Sequence, residues 1–279
     1  MSAPVPAQNV VTEADRPAGA WSGRALLRLV VAELRKAMST SAWWALLVPA
    51  ALVALLVTLV QAEFAGLAFL PSLAQAWALG SFAARFAVVF GLVVATAEYR
   101  HRTITTSYLT APGRPQLLVA KVVLATAAGV VYALVCAVFG LLGMLMGGGS
   151  GLGGSDLAGV LRVSAVALLT FALWAVLGVG IGTLISNQLA AIIGVLVYLL
   201  LVENIIVGLA TVSNLGRIDD YLPGGAASAS LTGLAETNPF GGALTGLTLP
   251  WWVALLIFIG YTGVAVLAGA AAAQRRDIT

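Results

Sequence analysis

Few side chains in this sequence have the chemistry for catalysis or metal binding. The chain has one histidine, His101, and one cysteine, Cys136. One cysteine excludes an intrachain disulfide, and one histidine leaves too few ligands for a Cys/His zinc site. The two lysines, Lys36 and Lys121, do not follow the glycine pattern of a phosphate-binding loop. We therefore predict no catalytic residue, no metal site and no ATP hydrolysis by this chain alone.

Two ionisable residues, Arg85 and Glu203, stand inside apolar segments. Each carries an insertion cost of roughly 2.5 to 3.5 kcal/mol at the centre of a membrane helix. In the topology derived below, each lies roughly 11 to 12 Å beneath the outer end of its predicted span. Because the depths match, we hypothesise that the two residues pair, within one subunit or across a dimer interface, and help line or close a polar path. In the alternative, each snorkels or finds a backbone partner separately.

The composition predicts that lipid is the solvent for most of the chain. Of 279 residues, 61% are apolar and 9% are charged, and the mean hydropathy is +1.02. Soluble domains carry roughly a quarter of their residues as charged side chains. We predict an all-α integral membrane protein with six spans, because six apolar segments are long enough to cross about 30 Å of hydrocarbon. They lie at about 42–62, 77–97, 118–142, 163–185, 189–210 and 251–273.

The distribution of basic residues predicts that both termini are cytoplasmic, because lysine and arginine are retained on that side. The outer side would hold Arg162 and Arg217, and Arg85 lies within a span. The remaining basic residues would be cytoplasmic, namely Arg16, Arg24, Arg28, Arg35, Lys36, Arg100, Arg102, Arg114, Lys121, Arg275 and Arg276.

The region before the first span divides into a tail and a helix. Residues 1–20 are polar and contain three prolines, and we predict a disordered cytoplasmic tail there. Residues 21–37 have a helical pattern, with Arg24, Arg28 and Arg35 on one side and an apolar arc opposite. This pattern predicts an amphipathic helix on the membrane surface, while the alternative is a solvated start to the first span. Residues 21–279 would then form one transmembrane domain.

Small residues end the fourth predicted span as Gly178, Gly180 and Gly182. Glycines at a helix surface let two backbones approach closely. We favour close helix packing here over a role in lining a substrate path.

The hairpin between the second and third spans mixes charge with apolar side chains. Ile104, Tyr108 and Leu109 stand among basic residues, and Pro112-Gly113 marks a turn. A loop that serves only to retain positive charge on the inside would not need these apolar residues. We therefore predict that the hairpin docks into a partner.

The sequence resembles the permease subunits of ABC exporters of the type 2 class, which include bacterial drug, bacteriocin-immunity and polysaccharide exporters. Glu98, Arg100, Thr103, Pro112, Arg114 and Lys121 fit the family pattern of the hairpin. The order of other features is also similar, namely the entry helix at 21–37, the short turn at 186–188, Leu222-Pro223, Asn238-Pro239-Phe240 and the terminal Arg275-Arg276-Asp277.

This resemblance implies a six-helix half-transporter that dimerises, as a homodimer or a heterodimer, and binds two copies of a cytoplasmic ATPase. ATP and Mg²⁺ would be held by that ATPase, and no cofactor by this chain. The second and fifth spans would form the central path, which would place Arg85 and Glu203 near its outer gate, and residues 211–250 would include short re-entrant helices. The hairpin would couple to the ATPase through Glu98, Arg100, Thr103, Ile104, Tyr108, Leu109, Pro112 and Arg114.

The expected function is outward transport of a hydrophobic or amphipathic molecule, such as a drug, an antibiotic peptide or a lipid-like compound, across a bacterial cell membrane. The expected partners are the ATPase, a second permease copy and the lipid bilayer, with no nucleic acid. One alternative is an ion-coupled secondary transporter, although the chain has no detectable internal repeat. Another is a membrane scaffold or immunity protein that transports nothing.

Overall fold

The computed structural model describes residues 23–65, 81–100, 114–147, 157–185, 187–213, 218–234 and 249–275. Every regular element in these ranges is a helix. The predicted tail at 1–20 and most of the predicted docking hairpin, residues 101–113, lie outside them.

Eight helices are described in these ranges. Short 3₁₀ turns at Ser81–Ala83 and Asp219–Tyr221 precede the third and the seventh of these helices. The helices are α1 (Gly23–Met38), α2 (Ala42–Ala65), α3 (Ala84–Arg100), α4 (Arg114–Met146), α5 (Leu157–Leu184), α6 (Gln188–Val212), α7 (Pro223–Thr232) and α8 (Trp251–Arg275).

Five of the described helices are long and apolar enough to cross a membrane. These segments are Ala42–Val60, Pro115–Met146, Leu157–Leu184, Gln188–Val212 and Trp251–Arg275. Together with the composition, they indicate a multi-pass membrane protein. The predicted second span begins among residues outside the described ranges, and its described part is the turn at Ser81–Ala83 followed by the 17 residues of α3.

Helix α5 lies at the centre of the packing and contacts α3, α4 and α8. Its glycines make these contacts possible. A Cβ atom on Gly178 would collide with the backbone oxygen of Val88 on α3, and one on Gly180 would lie 2.7 Å from the backbone carbon of Ala265 on α8. A Cβ atom on Gly182 would lie 2.7 Å from the Cβ of Ala95. The predicted packing role of these three glycines is confirmed.

Helix α6 is peripheral and irregular. It contacts mainly α3, and a π-helical turn at Tyr198–Val202 separates its two α-helical halves. The Nδ2 atom of Asn204 donates to the backbone oxygens of Leu199 and Leu200, at 3.3 and 3.0 Å, within this distorted region. Asn187 caps the start of α6, since its side-chain oxygen accepts from the amide of Ala190. Much of the apolar surface of α6 is left uncovered within one chain.

Substituting Gly178 with alanine tests whether backbone approach holds α3 against α5. In a helix interior, Gly→Ala gains roughly 1 kcal/mol of intrinsic propensity, while overpacking a tight contact costs about 1 to 3 kcal/mol. We expect Gly178→Ala to lower the thermal unfolding midpoint in a neutral detergent. The control is Gly260→Ala on α8, where an added Cβ meets no atom within 4 Å. Equal midpoints for the two variants would contradict the packing account.

Candidate functional site

Four charged side chains from three helices meet in one ion-pair cluster, formed by Glu33 and Lys36 of α1, Glu98 of α3 and Lys121 of α4. The Nζ atom of Lys36 lies 2.7 Å from Oε1 of both Glu33 and Glu98. The Nζ atom of Lys121 lies 2.8 Å from Oε2 of Glu33 and 3.5 Å from Oε2 of Glu98. Each carboxylate therefore gives one oxygen to each lysine, and the four formal charges cancel.

Three members of the ion-pair cluster are buried. Glu33, Glu98 and Lys121 are each at most 4% exposed, whereas the side chain of Lys36 is 43% exposed. Lys121 also donates to the backbone oxygen of Val94, one helical turn before Glu98, at 3.3 Å. A buried charge is strongly destabilising unless opposite charges and hydrogen bonds satisfy it. The cluster therefore requires α1, α3 and α4 to keep one fixed arrangement.

Local sequence explains how α1 presents two members of the cluster. Glu33 and Lys36 are three residues apart, so they are neighbours on one side of the helix. Lys36 stands in the last turn of α1, where the helix dipole favours a positive charge. The helix ends two residues later at Met38, and Ser39 and Thr40 donate their hydroxyl protons to the backbone oxygens of Lys36 and Ala37 in its last turn.

The pKa of Lys36 is raised above its ordinary value of 10.5. Partial burial acts to lower this pKa, but hydrogen bonds and Coulombic attraction from Glu33 and Glu98 together outweigh it. A raised folded-state pKa means that the stabilising contribution is complete below the unfolded value and is lost as pH rises through the folded value. Lys36 therefore remains charged throughout the physiological range.

Sequence reasoning did not identify the cluster as a unit. Glu98 and Lys121 entered through the family pattern and Lys36 through the count of basic residues, but Glu33 was missed. An available signal was its position on α1, where Glu33 shares a face with Val30 and Ala37, since residues three or four apart are helical neighbours. A carboxylate on the inward face of an amphipathic helix needs a buried partner.

The predicted coupling residues fall into two groups. Glu98 is buried in the ion-pair cluster, so its side chain makes an internal contact, while Arg100 at the end of α3 is exposed. Thr103, Ile104, Tyr108, Leu109 and Pro112 lie outside the described residues. Arg114 begins α4, but its side chain is not described. The docking role of the hairpin stays a prediction.

The basic residues predicted for the surface of α1 are exposed, namely Arg24, Arg28 and Arg35. An apolar stripe on the same helix is also exposed and consists of Leu27, Val31, Leu34 and Met38. Helix α1 therefore has one face on α4, a basic exposed face and an uncovered apolar face.

Arg85 and Glu203 do not form an ion pair within the chain, because no contact of 4 Å or less joins the guanidinium to the carboxylate. Instead, Arg85 lies over the ring of Phe82, with its guanidinium carbon 4.4 Å from the ring centroid. Glu203 accepts a hydrogen bond of 2.9 Å from the backbone amide of Gly225. A Coulombic attraction acts between the two side chains at longer range. Pairing across a dimer interface stays a prediction.

The carboxylate of Glu203 belongs to the first turn of α7. Pro223 occupies the start of this helix, and the free amide of Gly225 points to Oε1 of Glu203. The other oxygen, Oε2, lies so close to Gly224 that any side chain at position 224 would collide with it. A negative charge is stabilising at a helix N-terminus, where amides lack intrahelical acceptors. The hydrogen bond between Glu203 and Gly225 therefore attaches the start of α7 to α6.

A cavity of about 1370 Å³ extends between α1, α2, α3 and α6. Its wall runs from Phe82, in the turn before α3, along α3 to Arg100, which is about 27 Å at a rise of 1.5 Å per residue. Arg85 lines one end, and Glu33, Lys36 and Glu98 line the other. The ion-pair cluster therefore forms one end of this cavity as well as the joint between three helices.

Neither a protein-family model nor a curated protein sequence matches this chain. The resemblance described above therefore rests on its residue pattern, and the geometry of the cluster and cavity is an independent guide to function.

Substituting Lys121 with methionine tests the energetic role of the ion-pair cluster. The change leaves two buried carboxylates to share Lys36, and breaking a buried pair costs about 3 to 5 kcal/mol. We expect a loss of this order in the free energy of unfolding, measured in mixed micelles. Adding Glu33→Gln to the Lys121→Met variant should recover part of the loss, because it removes one stranded charge. The exposed Arg28→Met change on α1 is the control, and an equal loss there would argue against the cluster.

A double-mutant cycle tests whether Arg85 and Glu203 act separately. Glu203→Ala should cost about 1 to 2 kcal/mol, because α7 loses the acceptor at its first turn. Its coupling with Arg85→Ala should stay below about 1 kcal/mol, because only a longer-range Coulombic attraction joins the two side chains. Unfolding of the two single variants and the double variant gives this coupling. A coupling well above 1 kcal/mol would instead indicate direct pairing, either in another conformation or across a dimer interface.

Proposed function

We propose that this chain is the membrane permease subunit of an ATP-driven exporter of the ABC type 2 class. The observation that carries the proposal is the ion-pair cluster of Glu33, Lys36, Glu98 and Lys121. Its members lie on α1 and on the two helices that flank the 101–113 hairpin. A displacement of the hairpin that moved α3 and α4 would therefore also move α1, because ion pairs join α1 directly to both helices.

In the proposed topology the chain crosses the membrane six times, with both termini in the cytoplasm. The five long apolar helices supply five crossings, and α3 with the turn before it supplies the sixth. The exposed arginines and the apolar stripe on α1 support a position at the cytoplasmic membrane surface. Helix α7 would be a re-entrant helix on the outer side. The location would be the cell membrane of a bacterium.

The proposed complex contains two permease subunits, identical or different, and two copies of a cytoplasmic ATPase that binds ATP and Mg²⁺. Residues 98–115 would dock into the ATPase. Closure of the ATPase dimer would move this hairpin, and the ion-pair cluster would carry the motion to α1 and to the adjacent end of the cavity. The cavity would thereby change its access from the cytoplasmic side to the outer side. This coupling is mechanical and requires no catalytic residue in the permease.

The cavity supports a hydrophobic or amphipathic substrate. It combines apolar walls on α2, α3 and α6 with charged groups at both ends. Pockets for small molecules have this character, with a few placed polar groups in a mainly apolar lining. A drug, an antibiotic peptide or a lipid-like molecule has the matching chemistry.

The test is to purify the tagged chain from its native membrane in mild detergent, identify co-purifying proteins by mass spectrometry and assay ATP hydrolysis. We expect a near-equimolar ATPase that is lost when Tyr108 and Leu109 are both changed to aspartate, because a charged surface would not dock. The control is Tyr221→Asp, a change of an exposed tyrosine in the turn before α7.

Three outcomes separate the candidate functions. ATP-dependent substrate uptake into inverted vesicles would support the exporter. A chain that purifies alone and transports in response to an ion gradient without ATP would replace this proposal with a secondary transporter. Partner binding without any flux would indicate a scaffold or immunity protein.

A further inference from the structure

Arg85 places a cationic side chain with one unpartnered buried nitrogen in the wall of the cavity. Its Nε atom is buried and has no hydrogen-bond partner. The flat guanidinium rests on Phe82, which lines the cavity beside it. Stacking of this kind holds the side chain in place without neutralising its charge.

Among the acidic residues whose side chains the structure describes, none lies within ion-pair distance of Arg85. The nearest candidate in the sequence interpretation was Glu203, but that carboxylate is fastened to the first turn of α7. Glu33 and Glu98, the acidic residues in the cavity wall, lie at the far end. Along α3, Glu98 is about 20 Å from Arg85 at 1.5 Å per residue. Both acids are already shared between two lysines.

The charges of the cavity do not cancel. The ion-pair cluster is neutral as a whole, so Arg85 and Arg100 leave the wall with a net positive charge. Between its two ends the wall is apolar and includes Phe86, Val89 and Val93 of α3, Val53 of α2, and Ile192 and Leu196 of α6. A cation without a direct partner beside such a wall is costly, and Glu203 attracts Arg85 only at longer range.

We propose that the cavity binds an amphipathic anion, with its anionic headgroup at Arg85 and its apolar body along α3 towards the ion-pair cluster. A carboxylate, sulfate or phosphate headgroup gives Arg85 charge-assisted hydrogen bonds, which are strong in a site of low dielectric. The apolar body covers the valine, leucine, isoleucine and phenylalanine side chains of the wall. A cation of the same shape is disfavoured by Arg85.

This inference rests on the proposed function for its biological meaning, since it names the substrate class of the proposed exporter. The binding itself requires no ATPase. Two sources could supply the same chemistry, namely an exported amphipathic anion or an anionic lipid of the surrounding bilayer.

The test measures binding to the full chain in phosphatidylcholine nanodiscs by equilibrium dialysis. The probes are radiolabelled decanoate, decyltrimethylammonium and decanol, which share a chain length and differ in headgroup charge, and empty nanodiscs correct for partition into lipid. We expect the wild-type chain to bind decanoate about tenfold or more tightly than decyltrimethylammonium, as one charge-assisted interaction allows. Equal affinity for the anion and the cation would overturn the proposal.

Variants assign the preference to Arg85. Arg85→Gln should weaken decanoate binding by about tenfold or more and leave decanol binding unchanged, whereas Arg85→Lys should retain the anion preference. The matched control is Arg162→Gln, a change of an exposed arginine on α5 that does not line the cavity. Persistence of the wild-type anion preference in Arg85→Gln would contradict the assignment. If Arg85→Gln also fails to bind decanol, the substitution has disrupted the cavity itself. The anion preference of Arg85→Lys is then compared with that of the wild-type chain, and loss of the preference in Arg85→Lys would contradict the assignment.

Phosphatidylglycerol in the nanodisc distinguishes the two sources of the anion. If this lipid occupies the site, it should compete with decanoate in the wild-type chain and not in Arg85→Gln. If it does not compete, the site favours an anion that does not belong to the bilayer. Both outcomes support an anion site. Failure of every anion to bind preferentially would remove the inference without affecting the ATPase pull-down, so the two proposals can fail independently.

Discussion

A lysine or glutamate can remain charged away from water only where opposite charge reaches it, and this constraint fixes the arrangement of α1, α3 and α4. Glu33, Glu98 and Lys121 are buried, so none can leave the ion-pair cluster without stranding the others. An apolar contact between the same helices would tolerate sliding, because dispersion and hydrophobic contacts have little directional preference. A closed set of four charges does not tolerate such sliding, because each charge must stay within reach of its partners. The end of the cavity beside the ion-pair cluster is fixed in the same way, because cluster members form part of its wall.

The rest of the packing relies on shape, since lipid provides no hydrophobic force to press one apolar helix against another. Glycines on α5 leave room for the backbones of α3 and α8 to approach closely. Gly129 of α4 similarly leaves room for the backbone of Ala172 on α5. Helix α6 has fewer contacts and a π-helical turn. The described structure therefore combines a tightly packed group of α3, α4, α5 and α8 with a loosely attached α6. In the proposed exporter, this difference would let the α6 wall of the cavity move relative to its α3 wall.

Apolar runs predicted the positions of the helices well because length and hydropathy are local properties. The segment at about 118–142, for example, lies inside the longer α4. The short helix α7 falls within residues 211–250, where the family resemblance, and not an apolar run, implied short helices. Partnerships between side chains were harder to predict. Glu33 was missed because its neighbours are distant in sequence, with 88 residues separating it from Lys121. The pairing of Arg85 with Glu203 was inferred from depth alone, which does not reveal that free amides at the start of α7 compete for the same carboxylate.

The contact with α7 keeps the carboxylate of Glu203 out of direct contact with Arg85. Oε1 of this carboxylate accepts from the amide of Gly225, while Oε2 lies against Gly224 without a hydrogen-bond partner, and Glu203 attracts Arg85 only at longer range. If Glu203 turned to Arg85, the amide of Gly225 would lose its acceptor and the end of the cavity would become neutral. In the observed arrangement α7 keeps its acceptor and Arg85 keeps its positive charge. The attachment of α7 thus leaves Arg85 without a direct contact to Glu203, and the proposed anion site depends on this separation.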